Sequence, residues 1–202
     1  MRILIFEYNM LQSVFKFDYS LFRLINQEWH HPVADYLMIF FRNPYFWSPL
    51  YLFLVSYIII RHPGHAFRLI GLTIMTFFLT DVVSTQIFKA YIERPRPCWD
   101  WSAATGARML IPCSNSFSFV SSHAANHFGI STFLFISFKK LSGIKYRSLF
   151  LWAILVSYAQ VYVGAHYPTD VMGGALLGSL AALITTRMFN PVTGLQTSND
   201  KI

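Results

Sequence analysis

His166 and Asp170 lie four residues apart with Pro168 between them, where one apolar stretch ends and another begins. Proline suits the first turn of a helix, where its missing N–H is not needed. Asp170 is therefore expected in an opening helical turn, within reach of the imidazole. A carboxylate on one ring nitrogen fixes the tautomer and frees the other nitrogen as a nucleophile or base. A second set lies at residues 120–127, VSSHAANH, directly before another apolar stretch. Ser121 or Ser122 is a good N-cap, and the first N–H groups of a helix capped there form an anion site, with His123 in the first turn. The third set is Lys89, Arg94 and Arg96, with Pro95 and Pro97 holding the chain extended. Arginine offers a planar fork matched to phosphate oxygens and lysine a point charge; contact with lipid headgroups is the alternative use of such a cluster. The three sets together fit phosphoryl transfer. Cations and N–H groups neutralise the non-bridging oxygens, one histidine attacks phosphorus, and the other protonates the leaving oxygen. A helix N-terminus disfavours the imidazolium that such an acid must be, so His123 depends on the charge of a bound phosphate.

The elements that must position these residues follow from composition. Of 202 residues, 54% are hydrophobic and 12% charged, against roughly 25% charged in an average soluble domain. The length allows one domain. The expected fold is all-α: a multi-pass transmembrane helix bundle of about six membrane segments with an outer-face active-site loop. Apolar spans are expected at residues 45–60, 66–91, 123–138, 147–165 and 168–189. Residues 1–44 are expected to form an interfacial or irregular segment. Residues 21–28 are amphipathic, and the apolar piece 33–41 is too short to cross alone, since a span needs about 20 residues. The run at residues 3–6 is too short for a secretory signal peptide. Residues 92–122 are polar and turn-rich and read as the active-site loop.

Orientation follows from the basic linkers. Residues 61–68 hold Arg61 and Arg68; residues 139–147 hold Lys139, Lys140, Lys145 and Arg147; neither contains an acid. The positive-inside rule makes both cytoplasmic, so 92–122 and 165–169 share the opposite face. This placement also removes nucleic acid as a reason for the formal charge of +7.

The three sets, in order and with this spacing, resemble the type-2 phosphatidic acid phosphatase family, integral-membrane lipid phosphatases that share a helical core with vanadate haloperoxidases. Lys89, six further residues, then Arg96 and Pro97 match its first motif. Val120-Ser121-Ser122-His123 stands where the second has Pro-Ser-Gly-His. Ala159-Gln160, five residues, His166, three residues and Asp170 stand where the third has Ser-Arg-x5-His-x3-Asp. The resemblance implies that His166 is the nucleophile, Asp170 its orienting partner and His123 the general acid. Lys89, Arg96, Ser121 and the Ser122 backbone would hold the phosphate, and no metal or cofactor is expected. Glycine is replaced by Ser122 in the second motif, which a backbone contact survives. Arginine is replaced by Gln160 in the third, and losing one charge-assisted contact costs about 1.5–3 kcal/mol. Arg94 and Arg108 are candidate replacements, and Arg94-Pro95 is itself an Arg-Pro pair that could exchange roles with Arg96.

The resemblance is to bacterial members acting on isoprenoid diphosphates, which makes undecaprenyl diphosphate the preferred substrate and places the protein in the inner membrane with its site on the outer, periplasmic face. Phosphatidylglycerophosphate, phosphatidate and lipid A phosphates are alternatives; Gln160 also allows a catalytically weakened headgroup-binding protein. The expected partners are the lipid phosphate and the bilayer. Cys98 and Cys113 would be bridged if that face is oxidising. Asp81, in mid-span, reads as an interhelical hydrogen bond in preference to a catalytic or transport residue. His30, His31, His62 and His65 lack supporting metal ligands. Gly174 and Gly178 read as a close helix contact.

Overall fold

The computed structural model describes residues 2–100 and 106–189, with side chains from residue 12 onward. The described residues form helices α1 (Arg2–Arg23, continued by a π turn, Leu24–Glu28), α2 (Pro32–Arg42), α3 (Ser48–Arg61), α4 (Pro63–Ile92), α5 (Ser122–Ser142), α6 (Ser148–Tyr162) and α7 (Pro168–Met188).

Helix α5 is the axis, packed against α4, α6 and α7. Toward its N-terminus it buries small and polar side chains, among them Ala124, Ala125, Asn126 and Gly129; further along, Phe133, Leu134 and Phe138 join Ile58, Leu69 and Leu149 in an apolar cluster. The approach of α7 to α5 demands glycine. A Cβ on Gly178 would lie 2.0 Å from the Ala125 carbonyl oxygen, and one on Gly174 2.4 Å from that of Ser121. Polar side chains cross the same bundle. Thr76 and Thr185 hydroxyls meet at 2.7 Å, Thr80 donates to Asn126 Oδ1 at 2.6 Å, and the Asn126 amide donates to Asp81 at 3.1 Å. Asp81 thus has an interhelical hydrogen bond between α4 and α5.

Helices α4, 30 residues, and α7, 21 residues, are each long and apolar enough to cross a membrane. Helix α2 passes the same test only jointly with Pro44–Arg61, across a 75° bend. Helix α6 is apolar but has 15 residues, about 22 Å at 1.5 Å per residue against a hydrocarbon core of about 30 Å. Helix α5 is long enough, but its Ser, Thr, Asn and His residues lower its apolarity. They are tolerable because the neighbouring helices, and not lipid, surround them.

Residues 2–42, expected as an interfacial or irregular piece, form two helices joined by a short link at 29–31. Pro32 opens α2, and the His31 side chain caps it by accepting from the Val33 N–H at 3.2 Å. At the far end of the bundle Lys140 donates to the Thr186 carbonyl at 3.1 Å, Arg68 to that of Met188 at 3.5 Å, and the Tyr57 and Tyr146 hydroxyls pair. The two basic linkers therefore lie together, opposite the end that carries residues 89–96, 121–123 and 160–170.

Candidate active site

The loop between α6 and α7 delivers His166. Gly164 adopts φ +86°, and a Cβ there would lie 2.7 Å from both the Arg108 carbonyl oxygen and Met109 Sδ. Glycine alone meets both demands, and the turn tucks His166 back so that its N–H donates to the Gln160 carbonyl at 3.2 Å. The buried ring has two different sides. Nδ1 lies 3.5 Å from Asp170 Oδ2 and 3.3 Å from Ser118 Oγ, whereas Nε2 lies 3.4 Å from Arg96 Nη1. Burial pushes the His166 pKa down to about 4, with Arg96 and Lys89 adding to the effect and Asp170 opposing it. The ring is neutral at neutral pH, with Nδ1 facing the carboxylate.

Asp170 is 0% exposed. Its Oδ2 accepts from the Tyr167 N–H at 2.8 Å, capping α7, and from the Ser118 hydroxyl. Its Oδ1 accepts from Arg94 Nη1 at 2.7 Å. Arg94 also donates to Asp18 at 2.5 Å and to Thr169 Oγ1 at 2.7 Å, and its guanidinium lies 4.2 Å from the centre of the Tyr167 ring. Arg94 was expected among the phosphate-binding residues. It lies instead behind the histidine, because two buried carboxylates, Asp18 and Asp170, draw it there.

Arg96 faces the front. It donates through Nε to the Ser116 carbonyl at 2.6 Å and through Nη1 to the Ala165 carbonyl at 2.8 Å, which spreads its guanidinium beside His166. Arg96, Lys89, Ser122, His123, Gln160 and His166 line one cavity of about 220 Å³, together with Arg42 from the end of α2. No carboxylate lines it among the described residues. Ser122 stands at the start of α5 and accepts from the Ser84 hydroxyl at 2.9 Å. Ser121, also expected to hold phosphate, does not line the cavity. Its hydroxyl caps α5 by accepting from the Ala124 N–H at 3.4 Å, and its N–H donates to the Asp170 carbonyl at 3.0 Å. Arg108, the other candidate to replace the missing motif arginine, is paired with Asp35 and donates its backbone N–H to Asn26 at 2.7 Å. It lies away from the cavity.

Cys98 and Cys113 are joined by a disulfide with Cα atoms 6.1 Å apart, and both sit on the cavity wall. A second cavity of about 430 Å³ shares Ser122 and His123 with the first; Pro44, Tyr51, Phe77 and Ile130 supply its apolar wall. Sequence reasoning missed Ser118, Asp18 and Arg42. Ser118 sits within the loop expected to form the site, whereas Asp18 and Arg42 come from distant helices, and nothing in their local sequence marked any of the three.

Residues 65–193 match the model of the PAP2 superfamily. The chain is similar to the lipid A 4'-phosphatase of Bacteroides thetaiotaomicron, 30% identical over 155 residues that cover 74% of this chain and 67% of that one. It is also similar to the undecaprenyl-diphosphatase of Sulfolobus acidocaldarius, 27% identical over 85% of this chain and 78% of the relative. Among solved structures, Aquifex aeolicus LpxE superposes with a TM-score of 0.64 at 30% identity, covering 83% of this chain and 93% of that one. A family model spanning more than half the residues and a 30% identical relative point the same way as the cavity: this chain belongs to the PAP2 superfamily.

Proposed function

We propose that the protein hydrolyses the phosphate ester or diphosphate of a membrane lipid through a phosphohistidine on His166. The observation that carries this reading is the two-sided histidine: Asp170 holds Nδ1, while Nε2 faces a cationic cavity with no carboxylate among the described residues that line it. In the first step Nε2 attacks the terminal phosphorus, and the bond from that phosphorus to the leaving oxygen breaks: the lipid's own oxygen in a phosphate ester, the bridging oxygen of the departing lipid monophosphate in a diphosphate. Lys89, Arg96 and the first N–H groups of α5 neutralise the equatorial oxygens. His123, on the same cavity, gives its proton to the leaving oxygen; the charge of the bound phosphate is what holds that proton on an imidazole at a helix N-terminus. In the second step His123 takes a proton from water as the water oxygen attacks phosphorus, the P–N bond breaks, and orthophosphate leaves.

The second cavity supports a lipid substrate. It meets the first at Ser122 and His123 and offers Tyr51, Phe77 and Ile130 to an apolar chain beside the leaving oxygen. Undecaprenyl diphosphate is our preferred substrate, supported by the Sulfolobus relative. The Bacteroides relative favours a lipid A phosphate as the second reading. We place the site on the face opposite the basic linkers, outside the inner membrane. Phosphate release by purified protein over undecaprenyl diphosphate, lipid A, phosphatidylglycerophosphate and phosphatidate tests the proposal. Turnover is expected to be insensitive to chelator and absent in His166→Ala; a wild type that turns over none of these lipids overturns it.

A further inference from the structure

Gln160 occupies the place of a motif arginine, yet it is 1% exposed and its amide nitrogen Nε2 is buried with no hydrogen-bond partner. Arg42 Nε is a second buried donor without a partner. Both residues line the cavity in front of His166. A buried donor left unpaired costs free energy comparable to a lost hydrogen bond, so two on one cavity mark a place built for an acceptor. With Lys89 and Arg96 on the same wall and no carboxylate there among the described residues, that acceptor is an anion.

We infer that Arg42, which lies outside the three motifs, supplies the third cation for the bound phosphoryl group, with the Gln160 amide as a neutral donor beside it. This rests on the phosphatase reading of the same site. Helix α2 packs along α6, which carries Gln160, and the Tyr162 hydroxyl donates to Asp35 at 2.8 Å and accepts from the His31 N–H at 3.1 Å. Those contacts fix α2 so that its last residue, Arg42, reaches the cavity. The bend after Arg42 is itself held, since Trp47 Nε1 donates to the Phe41 carbonyl at 2.8 Å and Asn43 caps the next turn. A cation also suits the C-terminal end of a helix dipole. The positive charge of Arg42 reaches Arg96, where it adds to the burial that lowers the Arg96 pKa against the pull of Asp170. Arg94 and Arg108, the arginines that the sequence offered as replacements, are both spent on carboxylates.

The experiment uses full-length protein in detergent and two readouts: kcat/KM for release of phosphate from lipid, and the Kd of orthophosphate as a product probe. Arg42→Gln is expected to weaken both by about 10- to 100-fold, the worth of one charge-assisted contact. Adding Gln160→Arg to Arg42→Gln returns a guanidinium to the motif position and is expected to recover most of the loss. Orthophosphate binding unchanged in Arg42→Gln overturns the inference. So does a loss that Gln160→Arg leaves uncorrected, or a wild type that binds no orthophosphate. Wild-type orthophosphate binding that depends on Arg42, without turnover of any lipid, upholds Arg42 and overturns only the proposed activity.

Discussion

At Asp170 one carboxylate orients His166, caps α7 and anchors Arg94. Asp170→Asn can still accept from the Tyr167 N–H, but it loses the charge that holds His166 and Arg94. Its kcat is expected to fall by at least about 100-fold, in the range of a lost acid–base function, with the protein still folded. Arg94 fails in the opposite way. Arg94→Ala strands two buried carboxylates, and removing one partner of a buried pair costs about 3–5 kcal/mol; the loss is read as a lower denaturation midpoint in detergent. Lys89→Ala, by contrast, is expected to lower kcat/KM at an unchanged midpoint. The pH profile checks His166 directly. With its pKa pushed down to about 4, the nucleophile is neutral everywhere above that value, and kcat/KM is lost as pH falls through about 4. An acid limb near the ordinary value of about 6.5 would mean that Asp170 fully offsets burial. The motif residues were legible because their chemistry depends on spacing relative to a helix start: His123 just inside α5, Asp170 four residues after His166. Ser118 and Asp18 were not, since they meet their partners across 52 and 151 residues of sequence.

Helices α5 and α7 frame the site, with His123 in the first turn of α5 and His166 just before α7, and their contact is set by backbone against backbone. Gly178→Leu would drive a side chain into the Ala125 carbonyl, and no rotamer escapes a clash at Cβ. The expected outcome is loss of monodisperse protein on size-exclusion chromatography. Gly71→Ala is the matched control: it lies within α4 with nothing within 4 Å of its Cβ, so the change is expected to stabilise by about 0.5–1 kcal/mol through helix propensity. The small-residue pattern at Gly174 and Gly178 was legible as a close contact because its period is helical. The span count was less legible. Polar residues at the N-terminal end of α5 dilute its apolar signal because they serve the site and the helix contacts. The split of residues 2–42 into two helices depends on a cap at His31, and the break from α2 to α3 on a bend at Asn43, neither of which apolar periodicity reveals.

For the whole molecule, the basic linkers and the site lie at opposite ends, and this separation makes the side of catalysis testable without any substrate. Gly64 lies exposed in the opening turn of α4 with nothing near its Cβ, so Gly64→Cys reports on the linker end. The two native cysteines are joined to each other beside the cavity and stay silent to thiol reagents until reduced. In cells treated with a membrane-impermeant maleimide, Gly64→Cys is expected to label only after permeabilisation. Cys98 and Cys113 are expected to label in intact cells, and only after a reductant. Persistent disulfides belong to oxidising compartments, so the bridge and the positive-inside rule make the same prediction from independent physics. Labelling of Gly64→Cys in intact cells would reverse the orientation and place the cationic cavity toward the cytoplasm. The reductant carries a further expectation. The bridge joins Cys98 and Cys113 on the cavity wall, next to Ile111 and Pro112, so its loss should lower kcat/KM while the α5–α7 core, which it does not touch, keeps its denaturation midpoint.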